Sequence, residues 1–460
     1  MNLKEAYELL KQAGVDLKPD DYRKNITNWK ELYAGEITGF HTYSDYNGNS
    51  LVNKRRRSLK MGKKICEDWA DSLFNDNVDV SIGEGENDPD KTVHAVLDEN
   101  NFREQYTQLI EKTFALGTGA TVEYIDSEKK TMIDYIVADM IFPMRAKNGR
   151  ILDCAFVSMD DTSAYVNVHR QQPGGSYEIT NVLFEKQADG TFGIVEDKNI
   201  REVVISPVKL FQIIRPNLAN NMELSHPMGL SVLANAWDEL KDIDTVYDSL
   251  VNEIDSGKRR IFVKVSGVKW NLTEDGHTVP IFDPKQTTFY QIPGEEDDGQ
   301  PTVQDVASPL RITDHNDALQ TSLNLLGRKV GLGDDYYSFK DGAVYTNTTQ
   351  VVSSNSKFYK TLKKHEMIVG RALKEMVQAI LYLQSGIVSD ADVSVSFDDS
   401  IVEDMSEVRK QAMLEFHAGL IDAVEYHMRV SDMTKEQAIA YVAEIEARKP
   451  EEPDEEEPEI

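Results

Sequence analysis

Zinc hydrolysis, calcium coordination, nucleotide binding and paired-carboxylate catalysis each demand particular side chains at particular spacings. The 460 residues of this chain hold nine histidines, two cysteines and 79 acidic side chains from which to build them. HEMIV, beginning at His365, has the first histidine and the glutamate of a zinc-protease helix, but valine stands where the second histidine is needed. His417 and His427 are ten residues apart, which is not a one-face ligand spacing. DYNGN at Asp45 begins like a calcium loop, but Arg56 occupies the twelfth position, where a bidentate glutamate is required. GRKVGLGD, from Gly327, lacks the lysine–hydroxyl order of a phosphate-cradling loop. LGTGATVEY, from Leu116, lacks the third glycine of a dinucleotide fingerprint and reads as a helix stop before a strand. Adjacent acids at Asp297–Asp298, Asp334–Asp335 and Asp398–Asp399 have no histidine or lysine at catalytic spacing, and such pairs are common in so acidic a chain. The expectation is a chain that is not an enzyme, with no metal and no cofactor.

Two segments stand out by charge instead. The chain carries a formal net charge of −29, yet Gly342 to Ser356 contains no charged side chain and is rich in hydroxyls and amides. On residue type alone, this reads as a helix-capping loop. The basic run Asn53 to Lys64 (NKRRRSLKMGKK) has two readings. It is either a nucleic-acid patch or, preferred here, the solvated face of an amphipathic helix meeting the acidic surface of a neighbour.

The elements that must position these segments follow from apolar periodicity. The first hundred residues read as helical, with Leu59, Cys66, Trp69, Ala70 and Leu73 near one face. A helix from Asn101 to Leu116 stops at Gly117 and Gly119. From Ala120 to Pro216, short alternating segments separated by KNG, QQPGG and ADG predict an antiparallel β-rich region. Leu233, Ala236, Trp237, Leu240, Ile243, Tyr247, Leu250 and Ile254 fall at helical spacing, ending at Gly257. A small β-rich insert starts at KRRIFVKVSGVKW, and a second helix returns from about Thr313 to Val330. An unusually long helix is expected from Thr348 to Gln384, with Gly370 as a candidate bend and Gly386 as its stop. SEVRKQAMLEFHAGLIDAVEYHMRV and TKEQAIAYVAEIEARK read as further helices, the second opened by a Thr434–Gln437 capping box. The last ten residues hold seven acids and two prolines and are expected to be disordered.

Composition bounds the rest. The acidity argues against tight wrapping of nucleic acid, though not against letting it slide past. No apolar run suits a membrane span, and the N-terminus lacks the basic-then-apolar pattern of a signal peptide. Cys66 and Cys154, the only cysteines, imply a reducing compartment. Without a secretory route, the glycosylation-type triplets at Asn25, Asn271 and Asn347 carry no consequence.

WKELYAG, ICEDWADSLFNDNVDVSI, FALGTGATVEYID and ADMIFPMRAKNGRILDCAF follow one another here. After them come NAWDELKDIDTVYDSLVNEIDSGKRRIFV and YTNTTQVVSSNSKFYKTLKKHEMIVGRALKEMVQAI. In this order, and over nearly the whole chain, the sequence resembles the portal proteins of tailed bacteriophages, in the siphophage form of Gram-positive hosts. The resemblance implies an α+β, portal-like fold: a helical and β wing, a two-helix stem, a small β-rich clip, a long wing helix and a short helical crown. Mapped here, the wing is 1–230, the stem helices are 231–257 and 311–331, and the clip is 258–310. A tunnel loop at 332–350 precedes the long wing helix and return strand at 351–400. Crown helices at 401–447 and a disordered acidic tail at 448–460 complete the chain.

The family implies a homo-oligomeric ring, usually of twelve subunits, at one capsid vertex of the virion, assembled in the host cytoplasm. Double-stranded DNA would pass through it transiently and without sequence preference during packaging and ejection. Terminase large subunit, head-tail adaptor, scaffolding and major capsid proteins are the implied partners, and no membrane is involved. A different head-tail adaptor or minor capsid protein is the alternative, but adaptors are usually much shorter. The tunnel loop would comprise Tyr336, Tyr337, Lys340, Asp341, Gly342, Tyr345, Thr346, Asn347, Thr348, Thr349 and Gln350. Lys258, Arg259 and Arg260, at the stem–clip junction, would contact either DNA or an adaptor.

Overall fold

The α1 helix, Leu3–Gln12, repeats apolar residues at helical spacing and lays Ala6, Leu9 and Leu10 on a sheet. In the computed structural model, that sheet has the strand order β10-β9-β8-β7-β6, with β11 also paired to β9. Its strands are β6 (Ile141–Lys147), β7 (Arg150–Met159), β8 (Ser163–Gln171), β9 (Tyr177–Lys186), β10 (Phe192–Ile194) and β11 (Val203–Ser206). Every pairing is antiparallel. Ala164, Val166 and Val168 alternate along β8 and are buried under α1, while Tyr165 stays exposed. The structure describes residues 3–46, 50–75, 78–83, 89–126, 128–195, 203–257, 260–264, 270–272, 278–280, 289–292, 303–306, 309–334, 336–338, 348–389, 391–397, 412–431, 438–439 and 441–443.

The helical start differs from the expectation in two places, a hairpin and a short strand. Helices α2 (Arg23–Ala34), α3 (Met61–Leu73), α4 (Pro89–Glu99) and α5 (Phe102–Leu116) are present, but a hairpin of β1 (Thr42–Tyr46) and β2 (Leu51–Arg55) interrupts them. The basic run is therefore not one helix face. It begins in β2, passes through an irregular linker containing Leu59 and enters α3 only at Met61, after Lys60 in the left-handed region at φ 55°. The apolar half of the reading holds, since Cys66, Trp69, Ala70 and Leu73 are buried along α3. The short β3 (Asp79–Ile82) precedes α4.

α5 ends at Gly117, whose φ of 82° suits glycine alone, and a Cβ there would lie 2.4 Å from the Gly229 carbonyl oxygen. The chain then enters β4 (Gly119–Ile125), flanked in a three-stranded sheet by β5 (Thr131–Val137) and β12 (Phe211–Ile214). Further on come the 20-residue α6 (Trp237–Ser256) and the 19-residue α7 (Ile312–Val330). Between them lie β13 (Arg260–Lys264), β14 (Trp270–Leu272), β15 (Thr278–Pro280), β16 (Phe289–Ile292) and β17 (Val303–Val306). In this insert β13 is central, parallel to β16 and antiparallel to β17.

The 38-residue α8 (Thr348–Ser385) would extend about 57 Å if straight at 1.5 Å per residue. It continues through Gly370, where the missing side chain makes room for Phe397; a Cβ would meet that ring at 3.1 Å. Gly386 stops it at φ 70°. The returning β18 (Val393–Ser396) pairs antiparallel with β3.

The chain divides into two units: Met1–Val344 with Lys360–Phe397, and Tyr345–Tyr359 with Asp398–Ile460. In the second unit, the expected continuous helix is broken. Residues 412–417 are helical, Gly419 turns at φ 70°, and a new helix runs Ala423–Ser431, with the Glu425 N–H donating to Asp422 Oδ1 at 2.6 Å. The Thr434–Gln437 box and the acidic tail lie outside the described residues.

Candidate functional site at the helix pair

α6 and α7 run side by side and are tied by charge near both ends. Arg311 forks onto Glu253, with Nε to Oε1 at 3.2 Å and Nη2 to Oε2 at 2.9 Å, while Lys329 reaches Glu239 at 2.9 Å. The Arg311 contact holds the Glu253 carboxyl below its usual range. Seven acids and one lysine lie within α6.

The basic linker docks on another side of α6. Asp244, nearly buried, accepts the Leu59 N–H at 2.8 Å through Oδ1 and binds His41 Nε2 at 2.9 Å through Oδ2. His41 Nδ1 accepts the Ile37 N–H at 2.7 Å, so the ring proton sits on Nε2 and is donated to Asp244. The Arg57 N–H donates to Asp248 Oδ1 at 3.1 Å, and its guanidinium lies 3.4 Å from Asp255. Arg55 pairs with Glu36, and Lys54 pairs with Asp45 at 2.5 Å. The preferred sequence reading had the basic run meet acids of a neighbour; much of it meets acids of its own chain.

The segment after α7 is anchored at its start. Gly331 caps the helix at φ 88°, and the N–H groups of Leu332 and Gly333 both return to the Gly327 carbonyl. A side chain on Gly327 would place Cβ 2.3 Å from the Gly333 oxygen. Arg328 forks onto Asp334 at 2.8 and 3.0 Å, so this acid is held in an ion pair. Tyr337 donates to Asp68 Oδ2 of α3 at 2.7 Å, and Tyr336 packs edge-on against Tyr337. Burial, with that hydrogen bond, pushes the Tyr337 phenol well above its usual range. Thr348, Thr349 and Gln350 form the first turn of α8. Lys340, Asp341, Gly342, Tyr345, Thr346 and Asn347 lie outside the described residues, as do Lys258 and Arg259; Arg260 opens β13. Asp335 and the pairs Asp297–Asp298 and Asp398–Asp399 lie outside them too.

Other candidate groups have structural partners. His365 is a core residue: Trp69 and Phe114 meet its ring edge-on, Nδ1 accepts the Asn217 N–H at 3.0 Å, and burial lowers its pKa to about 4. Asp20, Glu223 and His226 bring possible ligand atoms within 4.8 Å of one another. His226 Nδ1, however, accepts the Met228 N–H at 3.2 Å, and Nε2 lies 2.7 Å from Asp20, so both nitrogens are already engaged. The ring also stacks on Tyr22 at 3.9 Å, making the triad a clasp rather than a metal centre. Both cysteines are buried free thiols, and burial raises the pKa of each.

One residue escaped sequence reasoning altogether. Glu123 on β4 is fully buried, accepts from Thr121 Oγ1 at 2.6 Å and from Gln212 Nε2 at 3.4 Å, and burial raises its pKa to about 7. Residue type gives no hint of this; Thr121, Val122 and Glu123 are all buried, so both faces of β4 are covered.

Antiparallel helices enclosing a β insert, followed by a long helix, define an α+β architecture of the portal class. The family model described as phage portal protein, SPP1 Gp6-like, matches residues 18–455, and the chain belongs to that family. Among curated proteins, none matches the sequence. Among solved structures, a chain from the neck of an empty GTA particle computed with C6 symmetry is similar at 13% identity and a TM-score of 0.45, over 92% of this chain and 97% of that one. Portal proteins are structural components of the phage capsid vertex. Among the described residues, no helix is long and apolar enough to cross a membrane.

Proposed function

We propose that the chain closes into a ring at one vertex of the phage head, through which double-stranded DNA is packaged and later ejected. The terminase motor would dock on this ring first, and head-tail connector proteins afterwards. ATP hydrolysis belongs to the motor in this reading, and the chain itself guides and holds. The family match across residues 18–455 carries the proposal. Exposed apolar side chains favour association as well: in the second unit Leu414 and Leu420 are 70% and 74% exposed. Twelve copies of the 52.0 kDa chain would weigh about 620 kDa. Native mass and negative-stain images of the purified protein test this. Rings with a central hole support it, and a monomeric mass under every assembly condition counts against it.

The neutral stretch is assigned to the channel. Each subunit contributes one copy, so any charge is repeated around the ring. A ring of lysines would hold phosphates, a dense ring of acids would repel them, and hydroxyls and amides avoid both. Lysine at Gly342, Thr346 or Thr348 is expected to leave assembly intact and sharply lower the DNA packaged per head. Normal filling by all three variants would remove the loop from the channel.

A further inference from the structure

A groove of about 780 Å³ lies between the basic linker and α6, lined by Tyr43, Arg56, Arg57, Lys60, Tyr247 and Asp248 among others. It faces away from α7. With 3.6 residues per turn, Asp244 and Asp248, which bind the linker, are rotated about 140–180° around α6 from Glu239, which binds α7. Arg57 is matched by Asp248 and Asp255, but Arg56, Lys60 and Lys241 have no ion-pair partner among the described residues. Arg56 and Lys241 instead lie over the same Phe40 ring, 4.1 and 5.2 Å from its centroid. Arg56 is fixed there by its hydrogen bond to the Phe40 carbonyl at 2.7 Å. This is a held excess of positive charge in a chain of net charge −29.

The complement lies on α7. Asp314 and Asp317 are exposed on α7 and form no ion pair among the described residues. They are rotated about 60° and 120° from the line of Arg311 and Lys329 that faces α6. A closed ring repeats one head-to-tail contact, so every copy must present two different, complementary patches.

We infer that the groove receives the acidic face of α7 from the next copy, setting Arg56, Lys60 and Lys241 against Asp314 and Asp317. The inference rests on the ring reading above. Exposed pairs of this kind add little energy singly, but they orient the approach and fix register. A DNA backbone carries the same charge as the acidic face and is the competing occupant.

A charge exchange in the full-length protein separates these outcomes. The wild type is measured first; a chain that never forms rings fails the ring reading itself, and this contact falls with it. Lys60→Glu with Lys241→Glu, and separately Asp314→Lys with Asp317→Lys, are each expected to lower ring yield at least tenfold at physiological salt. An equimolar mixture of the two variants should restore rings, because in an alternating ring every contact again joins opposite charges. The milder Lys60→Gln, Lys241→Gln chain should form rings that dissociate at lower salt than the wild type. The inference is overturned by wild-type ring yield from either reversal alone, by an unchanged salt threshold in the Gln variant, or by no restoration from variants that melt like the wild type. Intact rings with lost duplex retention in the Lys→Glu variant would assign the groove to nucleic acid, and overturn the inference equally.

Discussion

In the six-stranded sheet, Val166, Val168, Val182 and Phe184 are almost wholly buried in the core shared with α1, whereas Ile254, Leu310 and Leu325, at the helix pair, remain 44%, 44% and 52% exposed. The sheet is held by burial of apolar area, the dominant stabilising term in folding. The helix pair is aligned by Arg311–Glu253 and Lys329–Glu239, all four groups near the surface, where ion pairs contribute little. The first region completes its core within one chain. The second also buries Ile243, Leu319, Leu323 and Leu326, but leaves part of its apolar surface exposed.

This contrast can be broken most forcefully in the sheet. Phe184→Ala removes a fully buried ring and should cost about 3–5 kcal/mol in urea denaturation; an unchanged midpoint would mean that the sheet does not dominate stability. Next in size is Glu123→Gln. The raised pKa of Glu123 means the folded chain favours the neutral acid. Its stabilising effect is complete below the unfolded value near 4.5 and is lost as pH rises through about 7. The wild type should therefore lose on the order of 3 kcal/mol from this group between pH 4.5 and 8. The Gln variant should lack that component, and parallel pH profiles for the two proteins would refute the assignment. Smallest is Arg311→Ala, expected to leave the denaturation midpoint unmoved; a loss comparable to that of Phe184→Ala would erase the contrast between the regions.

Much of this architecture was legible because it is local. The three long helices begin within about four residues of where apolar spacing puts them, an error ordinary for element ends. Leu233 shows why apolar spacing starts α6 too early: it is buried at helical spacing but precedes Trp237, where the helix begins. The β1–β2 hairpin was missed because nearly all its residues are exposed and show no alternation of burial. The fate of the basic run was illegible for another reason: Arg57 and Asp248 are 191 residues apart, and no periodicity encodes that meeting. Glu123 failed similarly, since strand alternation cannot foresee a sheet covered on both faces. For the neutral loop, the legible part is its composition; ahead of it, Tyr337 is tied to α3 and Tyr336 packs on Tyr337.

The turn after α7 has a consequence for how this chain can diverge. Gly327 admits no side chain without displacing the Gly333 carbonyl, and Arg328 grips Asp334 directly afterwards. The path of the chain away from α7 is thereby fixed as far as Asp334, and Gln320 of α7 also donates to the Tyr337 carbonyl at 3.1 Å. On the ring reading proposed above, what this segment presents to DNA can be retuned only beyond these anchors, while position 327 must stay glycine.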